Sequence, residues 1–354
     1  MLAACVSCSD SFESKDLVRF SARTGNPGTK VSYSGYKESN RERVDWKDGD
    51  MVWIWCPEAQ IPSTHQAYYV IRDINENGYY SEAGIDLYST EGMVDGLRWN
   101  EEKDEHHFFS VYPVPMKNRS VFFRLVLNQG EWDNTCSAFY GATIPASQAP
   151  VSVTASPDGK VAEPDCNNLI MAAQGAYPKN SVVSLDYEPV VTAVEFTVKN
   201  GYADQGDMTL SGIKLSAQTD DIAGKFTNYL AGGTTPLFEN TTKEIEIPFE
   251  NQVSIAYGQT LKFTVFMLGM GTPSDPEIND MTIEFETGSS SSIKAKLSTS
   301  AGPMAFPRAK KSYVTGLLIP GASVWTISAV PDAITAWDSD AMDVEVEYEA
   351  GTSR

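Results

Sequence analysis

The sequence predicts an all-β protein built from β-sandwiches. Short runs rich in β-branched and aromatic residues recur along the chain, and Gly, Pro, Asn and Asp separate them. No stretch shows the apolar spacing of an amphipathic helix longer than about three turns. Because helical segments do not alternate with these runs, a parallel α/β sheet is excluded. The predicted strands span residues 17–22, 30–35, 51–56, 107–113, 121–127, 181–187, 191–200, 211–217, 243–249, 261–268, 281–287 and 292–298.

Length and composition indicate a folded chain of more than one domain. At 354 residues the chain is too long for one ordinary core and suggests about two domains. The stretch 145–180 is rich in Pro, Ser and Asp and indicates a long surface connection, so we place a domain boundary near residue 178. The predicted organisation is a tether at 1–15 that includes the end of a secretion signal, one β-sandwich domain at 16–178 and a second at 179–354.

The charge balance restricts the possible partners. The chain has 27 basic and 47 acidic residues, a formal net charge of −20. Such a surface repels phosphate backbones and anionic lipids, which disfavours nucleic-acid binding and electrostatic membrane adhesion. No run approaches the roughly 18 apolar residues that span a bilayer. Any membrane attachment is therefore expected to come from an anchor.

The first five residues, MLAAC, are similar to the end of a bacterial lipoprotein signal. Small residues before the cut suit a signal peptidase, and the thiol of Cys5 is the group that would receive the lipid. We therefore expect lipidation at Cys5. The alternative is an ordinary N-terminal cysteine.

The cysteines, histidines and sequence motifs do not indicate a catalytic, metal-binding or cofactor-binding site. No Cys-x-x-Cys spacing joins Cys56, Cys136 and Cys166, which we expect to be free thiols. His106 and His107 lie among acidic residues, and we favour a solvated acidic turn leading into a strand over a metal site. Nucleophile-elbow, P-loop and dinucleotide-binding motifs are absent from the sequence. The sequence thus predicts no catalytic residue, no metal and no cofactor, and we do not expect an enzyme.

The last strand-like run of the chain alternates without a break. Met342, Val344, Val346 and Tyr348 fall on one side of residues 342–349, and acidic residues fall on the other. This period of two is typical of a strand with one buried face. A second run at 323–330 precedes it. The pattern leaves open what covers the apolar face, and pairing within the second domain is one interpretation.

Several segments, taken together in order, resemble the fimbrillin family of lipoprotein-derived pilins from Bacteroidales-type bacteria. No single segment is specific, but together they cover nearly the whole chain. The segments are LAAC, TKVSYSG (29–35), VDWKDGDMVWIW (44–55), LRWN (97–100), HHFFSVYP (106–113), IPASQ (144–148), SLDYEPVVTAVEFTVKN (184–200), SGIKLSA (211–217), IAGKFT (222–227) and KKSY (310–313).

The resemblance implies two tandem transthyretin-like β-sandwich domains and assembly by donor-strand exchange. In that mechanism a lipoprotein reaches the outer membrane, a trypsin-like protease removes its first strand, and C-terminal strands of another subunit fill the groove. The expected cut lies between Arg23 and Thr24. The removed strand would offer Val18, Phe20 and Ala22, and the donor strands would lie within 323–349.

These expectations define a surface-exposed outer-membrane lipoprotein that enters a fimbria after processing. Its expected partners are other pilin subunits, the processing protease, the outer membrane through the lipid, and a host protein or glycan. Two other classes stay open. A glycan-binding surface lipoprotein would use exposed aromatic residues on the same sandwiches, and a glycosidase would act on polysaccharides.

Overall fold

The computed structural model describes residues 17–24, 37–38, 41–42, 46, 48–60, 65–72, 82–87, 96–114, 122–133, 135–201, 206–232, 237–269, 281–287, 292–298, 306, 311–319, 325–329 and 342–349. Across these residues the chain is all-β, with one short 3-10 helix at Cys166–Asn168. The first strands are β1 (Arg19–Thr24), β2 (Lys37–Glu38), β3 (Arg41–Glu42), β4 (Met51–Trp55), β5 (Gln66–Arg72), β6 (Glu82–Leu87), β7 (Glu105–Tyr112), β8 (Phe122–Val126), β9 (Ser137–Ile144), β10 (Ser152–Ser156), β11 (Gly159–Glu163) and β12 (Met171–Pro178). The later strands are β13 (Val182–Pro189), β14 (Thr192–Asn200), β15 (Met208–Ala217), β16 (Ala223–Ala231), β17 (Leu237–Thr242), β18 (Glu244–Ile255), β19 (Thr260–Met267), β20 (Met281–Thr287), β21 (Ser292–Ser298), β22 (Lys311–Ile319), β23 (Trp325–Ala329) and β24 (Met342–Glu349).

Seven strands form a closed barrel in the order β1-β13-β12-β7-β4-β5-β6. β4 shows the alternation that the sequence predicts, with Val52 and Ile54 buried and Trp53 and Trp55 half-buried on the other face. The turn before β4 contains Gly49 at φ +90°, a backbone conformation that favours glycine. Its amide donates to the carbonyl of Ile71 on β5, at 3.1 Å, and this bond fixes the start of the β4–β5 pair.

The remaining long strands form three further sheets. Their orders are β10-β11-β19-β14-β22, β18-β15-β20-β21-β24-β23 and β17-β16-β9-β8, and β2 pairs with β3 separately. Buried residues of the barrel and of these sheets belong to one continuous hydrophobic core. The sheets therefore assemble around shared apolar faces, which is the usual basis of all-β architecture.

A buried ion pair crosses the five-stranded sheet. Glu195 on β14 lies 3.1 Å from the Nζ of Lys311 on β22 and 3.4 Å from the Nζ of Lys262 on β19. Burial alone would raise the pKa of the Glu195 carboxyl, but the two ammonium groups outweigh it and hold the pKa below its usual range. The carboxylate thus stays charged inside the sheet because its partners are in place.

The stretch 145–180 is not the surface connection that its composition indicated. Val151, Val153 and Val161 alternate with small or polar residues on either side of a Pro-Asp turn, and they form the hairpin of β10 and β11. β12 follows in the same stretch and pairs with β7 of the barrel. The composition was misleading because β-branched residues at alternate positions form a strand even where Pro and Asp flank them.

The proposed boundary falls between two barrel strands. Residue 178 is the last residue of β12, and the next strand, β13, pairs with both β12 and β1. Tandem transthyretin-like domains stay a prediction from the resemblance. The predicted strand at 30–35 lies outside the described residues.

Candidate strand-exchange site

β1, the first strand among the described residues, closes the barrel. β1 lies between β13 and β6, parallel to the former and antiparallel to the latter. The parallel register runs from Arg19 opposite Val182 to Thr24 opposite Tyr187. Removing β1 would therefore expose one edge of β13 and one edge of β6, and leave a groove one strand wide.

The inward face of β1 carries the three residues that the sequence analysis assigned to this strand. Val18, Phe20 and Ala22 are all buried, with Ala22 completely inaccessible. The Phe20 ring packs edge-on against Tyr69 at 4.8 Å and against Phe108 at 5.4 Å, measured between ring centroids. At the N-terminal end the amide of Val18 donates to the carbonyl of Leu97 at 3.0 Å. Burial of these three side chains contributes about 5 kcal/mol to holding the strand.

The expected cleavage site lies at the C-terminal end of β1. The sequence indicated a loop from Arg23 onward, but β1 continues through Thr24 because β13 offers partners as far as Tyr187. Arg23 is in register with Asp186 on β13 and with Glu82 on β6. A protease must therefore separate the last residues of the strand from both neighbours before it can bind the Arg23–Thr24 bond in its active site. Cys5 lies outside the described residues.

The candidate donor strand is paired within its own chain. β24 has the bounds that the sequence pattern predicted, and its residues Met342, Val344, Val346 and Tyr348 lie in a strand between β21 and β23. Val346 is opposite Leu297 on β21 and Trp325 on β23. β23 corresponds to the companion run at 323–330. Among the described residues, β1 and β24 belong to different sheets and are not brought together.

The histidines and cysteines have structural contacts. His106 is a buried residue of β7, not part of a solvated turn, because the strand begins at Glu105. Its Nε2 accepts the amide hydrogen of Asn100 at 2.9 Å, and burial lowers the pKa of the imidazole. Cys56 and Cys136 are buried free thiols, and Cys166 is a half-buried free thiol. Within the described ranges no helix is long and apolar enough to cross a bilayer.

A cleft that the sequence analysis missed lies beside the barrel. It has a volume of about 570 Å³ and contains Trp132 and Gln174 at its surface. The Trp132 ring lies 4.9 Å from Phe109 and 5.9 Å from His107, measured between ring centroids. The His107 Nδ1 is 2.8 Å from Glu58 Oε1, which orients the imidazole. No sequence signal could have found this cleft, because its residues come from β7, β12, the end of β16 and two loops, which meet only in the fold.

The strands beside β1 could not be identified from the sequence either. β13 begins more than 150 residues after β1, and the parallel pairing between them leaves no local pattern. Val183, Leu185 and Tyr187 of β13 are fully buried and form one wall of the position that β1 occupies. The alternation of these residues predicts the strand β13, but it does not indicate that β1 lies beside it.

Comparison with known proteins gives structural neighbours only. No protein-family model and no curated protein sequence matches the chain. Among solved structures, a candidate cell adhesion protein of Bacteroides uniformis is 13% identical with a TM-score of 0.47, and the match covers 94% of this chain and 96% of that one. A candidate cell adhesion protein of Bacteroides ovatus is 12% identical with a TM-score of 0.47, covering 96% and 98%. A fimbrial assembly protein of Parabacteroides distasonis is 11% identical with a TM-score of 0.36, covering 94% and 98%. These three structures are named for cell adhesion and fimbrial assembly.

Proposed function

We propose that this protein is a fimbrial subunit or fimbria-associated adhesin of the bacterial surface, without catalytic activity, that assembles by donor-strand exchange. The observation that supports the mechanism is the position of β1. β1 is the first strand among the described residues and belongs to the closed barrel, and a cut at its C-terminal end would separate it covalently from every described strand that follows.

The order of events follows from that position. A lipid on Cys5 would hold the precursor at the outer membrane, and a trypsin-like protease would cut between Arg23 and Thr24. The fragment that contains β1 would then have no covalent link to the following strands, and hydrogen bonds and three buried side chains of its described part would help to hold it. An extended strand of another subunit would replace it, with backbone hydrogen bonds supplying affinity and alternate side chains filling the pockets. We assign residues 342–349 as the donor and 323–330 as its companion.

The charges beside the groove restrict which residue a donor strand can place at the level of Arg23. Arg23 lies in register between Asp186 and Glu82, so a donor that replaces β1 has an acidic position on each side at this level of the barrel. Like charges opposite each other on neighbouring strands are destabilising. A donor with a basic or neutral residue here therefore fits better than one with Asp or Glu, and the acidic positions of β24 are expected to set its register in the groove.

Intact mass of the protein isolated from its native outer membrane tests the processing step. A chain that starts at Thr24 and carries no lipid is the expected result. A chain that still starts at acylated Cys5 would contradict cleavage and strand exchange. Deletion of residues 341–354 should then abolish polymerisation, with circular dichroism used to establish that the shortened chain is still folded.

A second candidate function is glycan binding, which the cleft around Trp132 favours. Carbohydrates combine apolar faces with hydroxyl groups, and this cleft combines aromatic rings with the Gln174 amide and an oriented imidazole. If this is the function, Trp132→Ala should abolish binding to a glycan array and leave polymerisation unchanged. Deletion of residues 341–354 should abolish polymerisation and leave glycan binding unchanged.

A further inference from the structure

The outer edge of β10 is an exposed strand edge without charged side chains. β10 is the end strand of the five-stranded sheet, and no described strand pairs with it on the side away from β11. The run from Val151 to Ser156 contains no charged residue and lies between Pro150 and Pro157. Exposed edges normally carry charges, prolines or bulges that prevent pairing with another chain. Here such features are absent within the strand itself and occur only at its ends.

Two valines of this edge belong to the core-facing side of the sheet but are not covered. Val153 is directly opposite Ala162 on β11, and Ala162 is opposite Phe263 on β19, so the three share one face. Ala162 and Phe263 are each 2% exposed, whereas Val153 is 37% exposed and Val151 is 64% exposed. The buried face of the sheet thus continues into β10, but the opposing sheet ends before it reaches these valines.

The uncovered valines line a groove between two sheet edges. The groove has a volume of about 410 Å³, and its opposite wall is the segment Phe249–Ser254 of β18, the end strand of the six-stranded sheet. Among its lining residues the charged ones are Lys160 and Glu250, one of each sign. The groove is therefore close to neutral on a chain with a net charge of −20. This is a surface at which two copies of an acidic protein can approach each other.

We propose that the occupant of this edge is β10 of a second copy, paired antiparallel about a two-fold axis at Val153. In this register Val153 meets Val153 of the second copy, Val151 meets Ala155, and Ser152 meets Thr154. From Val151 to Ala155 every apolar side chain then faces an apolar one and every hydroxyl faces a hydroxyl, and Ser156 lies opposite Pro150 at each end of the contact. The valines of each copy cover those of the other, and the edge finds backbone partners. Such a self-complementary contact closes as a dimer rather than extending as a filament.

The dimer contact is separate from the proposed strand exchange, since neither β1 nor β24 takes part in it. It would join two subunits, or two fimbriae, side by side. Failure of either proposal leaves the other in place.

Cysteine cross-linking tests the register on the full chain. We would replace Cys5, Cys8 and Cys166 by Ser, introduce Val153→Cys, and measure the rate of disulfide-linked dimer formation under mild oxidation. The matched control is Val182→Cys on β13, an exposed valine on a different surface. We expect the first variant to cross-link at least about tenfold faster, because a residue on the two-fold axis meets itself. Equal rates for the two variants would overturn the proposal.

Charge variants give an independent test that does not depend on oxidation. Val153→Lys places two ammonium groups opposite each other, so the dissociation constant measured by sedimentation should rise at least about tenfold. Val153→Thr keeps a β-branched side chain and should still dimerise. An equal mixture of the Val153→Lys and Val153→Glu variants should recover a heterodimer. A Val153→Lys dimer as tight as the parent, or a mixture that stays monomeric, would show that residue 153 does not meet itself.

Discussion

Truncation of one buried ring, Phe20→Ala, tests whether β1 is an integral strand of the barrel. The Phe20 side chain is 6% exposed and has edge-on contacts with Tyr69 and Phe108. Removal of a buried Phe ring typically costs 3–5 kcal/mol, and two aromatic neighbours favour the upper part of that range. We expect the variant to lose about 4 kcal/mol of unfolding free energy.

Urea unfolding of the uncut chain measures this loss. Val182→Ala is the matched control because Val182 lies on the neighbouring strand, 63% exposed, in register with Arg19. Its truncation should change the unfolding free energy by less than about 0.5 kcal/mol. The two variants remove apolar side chains from adjacent strands and differ mainly in burial.

The same substitution has a kinetic consequence after cleavage at Arg23. If the lost contacts are absent when the fragment leaves, 4 kcal/mol corresponds to roughly a thousandfold faster release of the cut β1 fragment. Mass spectrometry after rapid desalting would measure that release. A loss in unfolding free energy below about 1 kcal/mol, together with unchanged release, would refute the packing argument and the acceptor-groove proposal that depends on it.

Three further predictions concern charged groups. Lys311→Met should cost about 3–5 kcal/mol of unfolding free energy because it leaves Glu195 buried with one partner fewer, and adding Glu195→Gln should recover most of the loss in the same urea assay. The pKa of His106 is lower in the folded chain than its ordinary value, so its contribution to stability is present above that value and is lost as the pH falls through the folded pKa. His106→Gln keeps an acceptor for the Asn100 amide and should flatten the decline in unfolding free energy measured between about pH 7 and pH 5. Asp186→Lys should tighten binding of a synthetic 342–349 peptide to the cleaved protein by up to about fivefold, measured by calorimetry, because it removes a like charge beside the groove. Weaker or unchanged binding would contradict the proposal that an acidic residue of the peptide lies beside position 186.

The sequence predicted features that depend on neighbouring residues, and it did not predict features that depend on which distant strands pair. Alternation correctly identified β24 and the inward face of β1, because a period of two depends only on neighbouring residues. The parallel partner of β1 and the cleft around Trp132 were not predictable, since each depends on which distant strands become neighbours. The β10–β11 hairpin was misread for a different reason, because flanking Pro and Asp residues hid a β-branched pattern at Val151 and Val153.

The path of the chain between the barrel and the other sheets has a mechanical consequence. The backbone leaves the barrel after β7, returns to it at β12, and leaves again after β13, so three covalent connections join the barrel to the three other large sheets. A single linker would act as a free pivot, whereas three connections at different points restrict rotation. If the proposed fimbria forms, the pull between successive subunits would be divided among these connections. Extension would then require strands to shear apart inside the subunit, rather than one flexible joint to straighten.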